Sequence, residues 1–318
     1  MRPLFMLKRA AILIISIFHV GYSCQAQDTP VNQLVLPEEK DHKIPFIWIT
    51  SKDSQYSAML IPVKLSGCPR VFYMQFDTGS PYSLLYRNKL KAIGNQYGES
   101  VRVSDTTEKL LQFPFHVGNM PILAKEITVQ QFDSTSINRN KNAIEIIGTL
   151  GTDLIDNKIA CINYPKKYIL ITNSYNIEKT GAAWSVFIYE KRRILLPFSI
   201  REEQRLAYFD TGSSAFELLT DKTTAMRLSS PNATPTNREV ESWGKSLKVV
   251  SIPTADSIEI AFQKLPLYNI TYMEGISDAQ VNAMKKTGIG GMAGNGIFLK
   301  RILVLDTRNK KFCVQPFR

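Results

Sequence analysis

Cysteine is scarce, four in 318 residues, so no disulfide framework staples this chain. Histidine is scarcer still. His19, His42 and His116 stand far apart and no C-x-x-C occurs, so no metal-ligand spacing is present. The same shortage argues against a nucleophile activated by histidine. Acid is in deficit: 28 Asp+Glu face 39 Lys+Arg, a formal charge of +11. That balance favours anionic surfaces or acidic partners. Basic clusters interleaved with aromatics are missing, so nucleic acid is not an expected partner. The apolar run AILIISIFHVGYS, residues 11–23, has 13 residues, short of the ~20 that a membrane-spanning helix needs. The remainder is ordinary, with 44% apolar and 21% charged residues, which excludes disorder, collagen and coiled coil as descriptions of the whole.

Arg2, Lys8 and Arg9 precede the apolar run and small residues follow it, the layout of a signal peptide over residues 1–26. Cleavage after Ala26 releases a soluble protein. Lipidation of Cys24 instead tethers it to a membrane, although Tyr22 is bulky for the recognition site before that cysteine. By either route the chain is expected to be exported, to the periplasm or beyond. Of the 39 cations, loss of these three leaves 36 against 28 acids, a charge of +8. Cys68, Cys161 and Cys313 remain, an odd number, and read as structural thiols. Residues 27–43 are polar and contain Pro, and read as a leader or first-strand tether.

The chain repeats itself. Phe76-Asp77-Thr78-Gly79-Ser80 recurs as Phe209-Asp210-Thr211-Gly212-Ser213, displaced by 133. Each copy follows a strand-like run, RVFYMQ and QRLAY, and leads into another, YSLLY and AFELL. Residues 147–171 match residues 290–314 at a displacement of 143. The extra residues fall at 277–287, read as a short helix with Ser277 as its N-cap and Gly288 beyond its end. The halves are 44–176 and 177–318, divided at the polar, turn-rich stretch 173–183. Short strands dominate both, so the fold class is all-β with a few short helices.

D-T-G after a buried strand has a physical logic. Gly lets the backbone turn sharply and approach another segment closely. Thr supplies a hydroxyl that can tie two such loops together, and Asp a carboxylate at the tip. Two copies place two carboxylates face to face. At about 3 Å both cannot ionise, so they share a proton. One then activates water as a base while the other hydrogen-bonds a carbonyl. Neither His, Cys nor metal is needed, so no cofactor is expected.

The pattern resembles the aspartic protease superfamily, of pepsin-like and retroviral type, over about residues 45–318. The resemblance rests on FDTGS twice and on a downstream apolar-apolar-Gly element, here Ile146-Ile147-Gly148 and, with Gly290 in an apolar place, Ile289-Gly290-Gly291. It implies a bilobal fold of two β-rich lobes and an aspartic endopeptidase acting on peptides or proteins as a monomer. By motif position, Asp77 and Asp210 are the catalytic pair. Thr78 and Thr211 match the threonines that cross-link the loops, around Gly79 and Gly212. Ser80 and Ser213 match residues that hydrogen-bond the outer oxygen of their own Asp, and Gly148 and Gly291 match the buttress. Such hydroxyls favour the ionised form, which implies an acidic optimum.

Three departures stand out. The loops are closer together than in pepsin-like enzymes, nearer to two fused retroviral-type units. Gly290 puts the rigidity of the Asp210 loop in question. The hairpin expected to close over the first lobe falls at 100–118, with its tip near Asp105-Thr106-Thr107, and has no Tyr; Tyr97 lies just before it. Asp105 and Thr106 are candidate substrate contacts, as is Trp243 at the tip of a second-half hairpin. The missing Tyr leaves a second reading: a duplicated pseudo-protease that binds peptides or cell-envelope components without cutting.

Overall fold

The structure is a computed structural model, and it describes residues 30–38, 40–98, 101–132, 136–138, 140–242 and 245–317. In the first half these form β1 (Leu34–Val35), β2 (His42–Pro45), β3 (Ile47–Ile49), β4 (Ala58–Leu65), β5 (Val71–Phe76), β6 (Leu84–Tyr86), α1 (Arg87–Tyr97), β7 (Lys109–Val117), β8 (Met120–Gln130), β9 (Ile146–Leu150), β10 (Ile159–Asn163) and β11 (Tyr168–Thr172). The second half supplies β12 (Ser185–Val186), β13 (Ile188–Glu190), β14 (Arg193–Ile200), β15 (Glu203–Phe209), β16 (Leu218–Thr220), α2 (Lys222–Leu228), β17 (Thr236–Ser242), β18 (Lys245–Pro253), β19 (Ser257–Ile260), β20 (Gln263–Pro266), β21 (Asn269–Met273), α3 (Asp278–Lys286), β22 (Ile289–Ala293), β23 (Arg301–Asp306) and β24 (Lys311–Pro316).

The all-β, bilobal expectation holds. An eight-stranded sheet makes the first lobe and a ten-stranded sheet the second. A six-stranded sheet, in the order β12-β24-β23-β10-β11-β2, joins them through the β10–β23 pair. Burial follows from sequence pattern. In β8, MPILAKEITVQ, inward and outward residues alternate almost throughout, the period-two signature of a sheet covered on one face. In β10, IACIN, every residue is buried. The lobes are sealed together by an aromatic chain: Phe209 packs edge-on to Phe298, which stacks on Tyr164. Each such buried ring contributes about 1.5–3 kcal/mol.

The repeat is a structural repeat. β5 runs parallel to β9, as β15 does to β22, and both pairs slip register at the same place, Tyr73/Met74 and Leu206/Ala207. β6 pairs β9 and β8, as β16 pairs β22 and β21. The inserted helix is α3, where Ser277 and Gln280 form a capping box and Gly288 takes φ +76.

Two expectations need correction. The stretch 27–43 is more than a tether, because its described part supplies strands. Leu34 is buried where β1 pairs β8, and β2 closes the edge of the six-stranded sheet against β11. The first-lobe hairpin is not 100–118 but β7–β8, residues 109–130. Val117 pairs with Met120 across a two-residue turn whose positive φ falls on Gly118, the position a type II′ turn reserves for Gly. Residues 101–108 carry no strand. Among the described residues the three cysteines are free, with Cys161 and Cys313 buried.

Candidate active site

β5 and β15 end in the two D-T-G-S loops, and the repeat brings Asp77 and Asp210 together. Both are fully buried. Asp77 Oδ1 accepts the N–H of Gly79 at 2.8 Å, and Asp210 Oδ1 that of Gly212 at 2.7 Å. The threonines lock the loops reciprocally. Thr78 N–H donates to Thr211 Oγ1 (2.9 Å) and Thr211 N–H to Thr78 Oγ1 (3.0 Å). Each hydroxyl then donates across to the other strand, Thr78 to Phe209 O and Thr211 to Phe76 O, both at 2.9 Å. All four bonds are buried, where leaving a donor unmet costs about 1–3 kcal/mol. Gly79 is required by proximity, since a Cβ there would lie 2.7 Å from Asp210 Oδ1.

The serines differ, and Ser80 corrects the expectation. Ser213 Oγ donates to Asp210 Oδ2 at 2.9 Å. Ser80 Oγ turns away to Tyr82 O at 2.7 Å. Pro81 follows Ser80 and fixes the local φ, whereas Ser213 closes a 3-10 turn, Thr211–Ser213. Among the described residues no N–H or O–H donates to Asp77 Oδ2. The Asp210 carboxyl lies against Gly79 of the Asp77 loop, so the two acids are close enough that ionising both is disfavoured. Burial, then the charge of Asp210 and its hydrogen bond, hold Asp77 well above the usual carboxylate range. Burial also raises Asp210, but the bonds from Asp77, Ser213 and the Gly212 and Ser213 N–H groups oppose it. Both carboxyls are therefore raised, and the donors to Asp210 favour its ionised form.

The buttress works as the repeat implies. A Cβ on Gly148 would lie 2.3 Å from Leu84 O, and one on Gly291 2.3 Å from Leu219 O. Gly290 does not loosen its side, because Thr220 Oγ1 donates to its carbonyl at 2.7 Å. Sequence reasoning missed Thr152 and Asn295, which hold the loops from beneath. Thr152 Oγ1 donates to Thr78 O, and Asn295 Nδ2 to Thr211 O and Ser214 Oγ. They lie 143 apart, so the second repeat contained the signal. Tyr208 was also missed; its hydroxyl donates to Gly79 O at 3.0 Å.

The proposed substrate contacts fare differently. Asp105 is exposed and paired with Lys91 of α1, and Thr106 hydrogen-bonds Ser104 within its own turn. Neither bonds to the dyad. Tyr97 packs edge-on to Phe72. Trp243 and Cys24 lie outside the described residues. The long hairpin preceding the lobe's return strand is in the second lobe: β17 pairs β18 from Thr236↔Ser251 to Ser242↔Lys245, where the first lobe has only residues 101–108.

No family model matches the sequence, and no curated protein sequence matches it. The structure is similar to that of an aspartic proteinase from Irpex lacteus, with a TM-score of 0.51 and 12% identity, covering 87% of this chain and 97% of that one. The fold is that of an aspartic proteinase. The aspartic-proteinase fold accounts for the two-lobed plan, the parallel β5–β9 and β15–β22 pairs and the sheet that joins the halves.

Proposed function

We propose that this chain is an aspartic endopeptidase that hydrolyses peptide bonds in peptides or proteins, with water activated by Asp77 and Asp210. The observation that carries the reading is the pair of fully buried carboxyls, one per lobe, brought together by loops that Thr78 and Thr211 lock to each other. Their asymmetry divides the roles. Asp210, held by Ser213, is the carboxylate; Asp77 carries the proton. Water loses a proton to Asp210 as its oxygen attacks the carbonyl carbon, and Asp77 gives its proton to the carbonyl oxygen. On collapse, Asp210 returns a proton to the amine nitrogen as the C–N bond breaks. A hydroxyl of the intermediate gives its proton to Asp77, restoring the starting state. The enzyme acts as a monomer without a cofactor.

Digestion of an unbiased peptide library at several pH values tests this. Wild type is expected to cleave, and Asp77→Ala or Asp210→Asn each to lose essentially all activity, since the pair works as one unit. The full burial of both carboxyls favours a second reading, a pseudo-protease that binds peptides or envelope components without cutting. A wild type that leaves every peptide intact would decide for it. Export belongs to the proposal and rests on the sequence of residues 1–26. Mass spectrometry of the native N-terminus separates a start at Gln27 from a lipidated Cys24.

A further inference from the structure

The two lobes present unlike faces to the dyad. Residues two apart on a strand share a face, so Gln75 lies on the face of Asp77 and Tyr208 on that of Asp210. Their neighbours correspond. Gln75 stands between Leu60 of β4 and Thr149 of β9, and Tyr208 between Leu195 of β14 and Met292 of β22. In the second lobe this face is apolar. Tyr208, Leu219, Val249 and Met292 form a cluster separate from the main core, joined by Val240 of β17 and Met273. In the first lobe Gln75 and Thr149 replace Tyr208 and Met292 with polar side chains, while Leu60 stays apolar like Leu195. Thr149 Oγ1 bonds the hydroxyl of Tyr86 at 3.0 Å. Gln75 is fully buried, and neither its Oε1 nor its Nε2 has a partner among the described residues. Asp77, equally buried, follows two residues on, just past the end of β5, so the two side chains lie to the same side of the chain.

We propose that Gln75 is a specificity-determining residue. The substrate residue on the first-lobe side of the scissile bond bears a side-chain amide, Asn or Gln, that meets the Gln75 amide, donor to acceptor in both directions. The residue on the second-lobe side is apolar and lies on Tyr208, Leu219 and Met292. This rests on the endopeptidase reading for its cleavage readout. An amide beside an apolar side chain leaves its own donors and acceptors unmet, which gives the discrimination.

The test is the residue pair flanking each cut in the library, for wild type and for Gln75→Leu. Wild type is expected to favour Asn or Gln at one flanking position, the same in every product, and an apolar residue at the other. Gln75→Leu should shift the first position to Leu or Met, by about tenfold to a hundredfold in kcat/KM ratio, and leave the second unchanged. Apolar preference at both positions in wild type would overturn the proposal, as would an unchanged profile in folded Gln75→Leu. Should that variant fail to fold, the wild-type profile alone decides. Binding of Asn-containing and Leu-containing peptides to Asp210→Asn, which keeps both faces, reads the same preference as a Kd ratio. If wild type cuts nothing, the endopeptidase reading fails, and that ratio still decides this one.

Discussion

At the scale of the residue, two identical motifs have acquired different chemistry. Ser213 touches its carboxylate and Ser80 does not. A hydroxyl donated to a carboxylate favours the charged form. Ser213→Ala should therefore raise the pH at which Asp210 takes up its proton, moving the acid limb of kcat/KM upward, while Ser80→Ala leaves it in place. A profile on one peptide checks both. The dyad also opposes stability. Both carboxyls are raised by burial, so they bind protons more tightly folded than unfolded. Stability is then fullest below the ordinary carboxylate range and falls as pH rises through the raised values. Asp77→Asn removes that loss. It should melt higher than wild type at about pH 7, with the difference gone at about pH 3. The carboxyl pair was legible in the sequence because D-T-G is a turn whose residue types are dictated locally. The divergence of the serines was not, because it depends on Pro81 and on the turn that follows each loop.

At the scale of the element, the buttress strands are where backbone crowding decides. A methyl on Gly291 would meet the backbone carbonyl of Leu219, which cannot retreat; one on Gly290 would lie 2.8 Å from the Cβ of Arg205, which moves only with its strand. Gly291→Ala should cost about 1–3 kcal/mol or more in a denaturant melt. The sequence repeat foretold these strands and α3, because apolar periodicity and an N-cap with a closing Gly are local signals. It misplaced the first-lobe hairpin. KLLQFPFHV and MPILAKEITVQ read as strands, but the turn between them rests on two residues, Gly118-Asn119, whose weight shows only when the partner strand is in view. The unequal hairpins, long at β17–β18 and absent at 101–108, followed from no pattern in composition.

At the scale of the whole molecule, the halves are joined by more than the dyad loops. Arg192 of the second half, almost fully buried, reaches Asp156 of the first at 2.9 Å and donates to Pro30 O. Residues 30–176 and 177–317, expressed separately, should be inactive, since each holds one carboxyl. Mixing them should restore weak cleavage where the β10–β23 pair re-forms, and an active first half alone would show that it pairs with itself. That same pair bears on how the protein is made. Cys161 faces Val304, 143 positions further on. A ribosome releases β10 well before it has built β23, and until then IACIN stands as an uncovered apolar edge, the kind that recruits other chains. Completion of the joining sheet waits on the Arg301–Pro316 hairpin, so nascent chains halted before it should aggregate or draw chaperones, and full-length chains should refold slowly from denaturant.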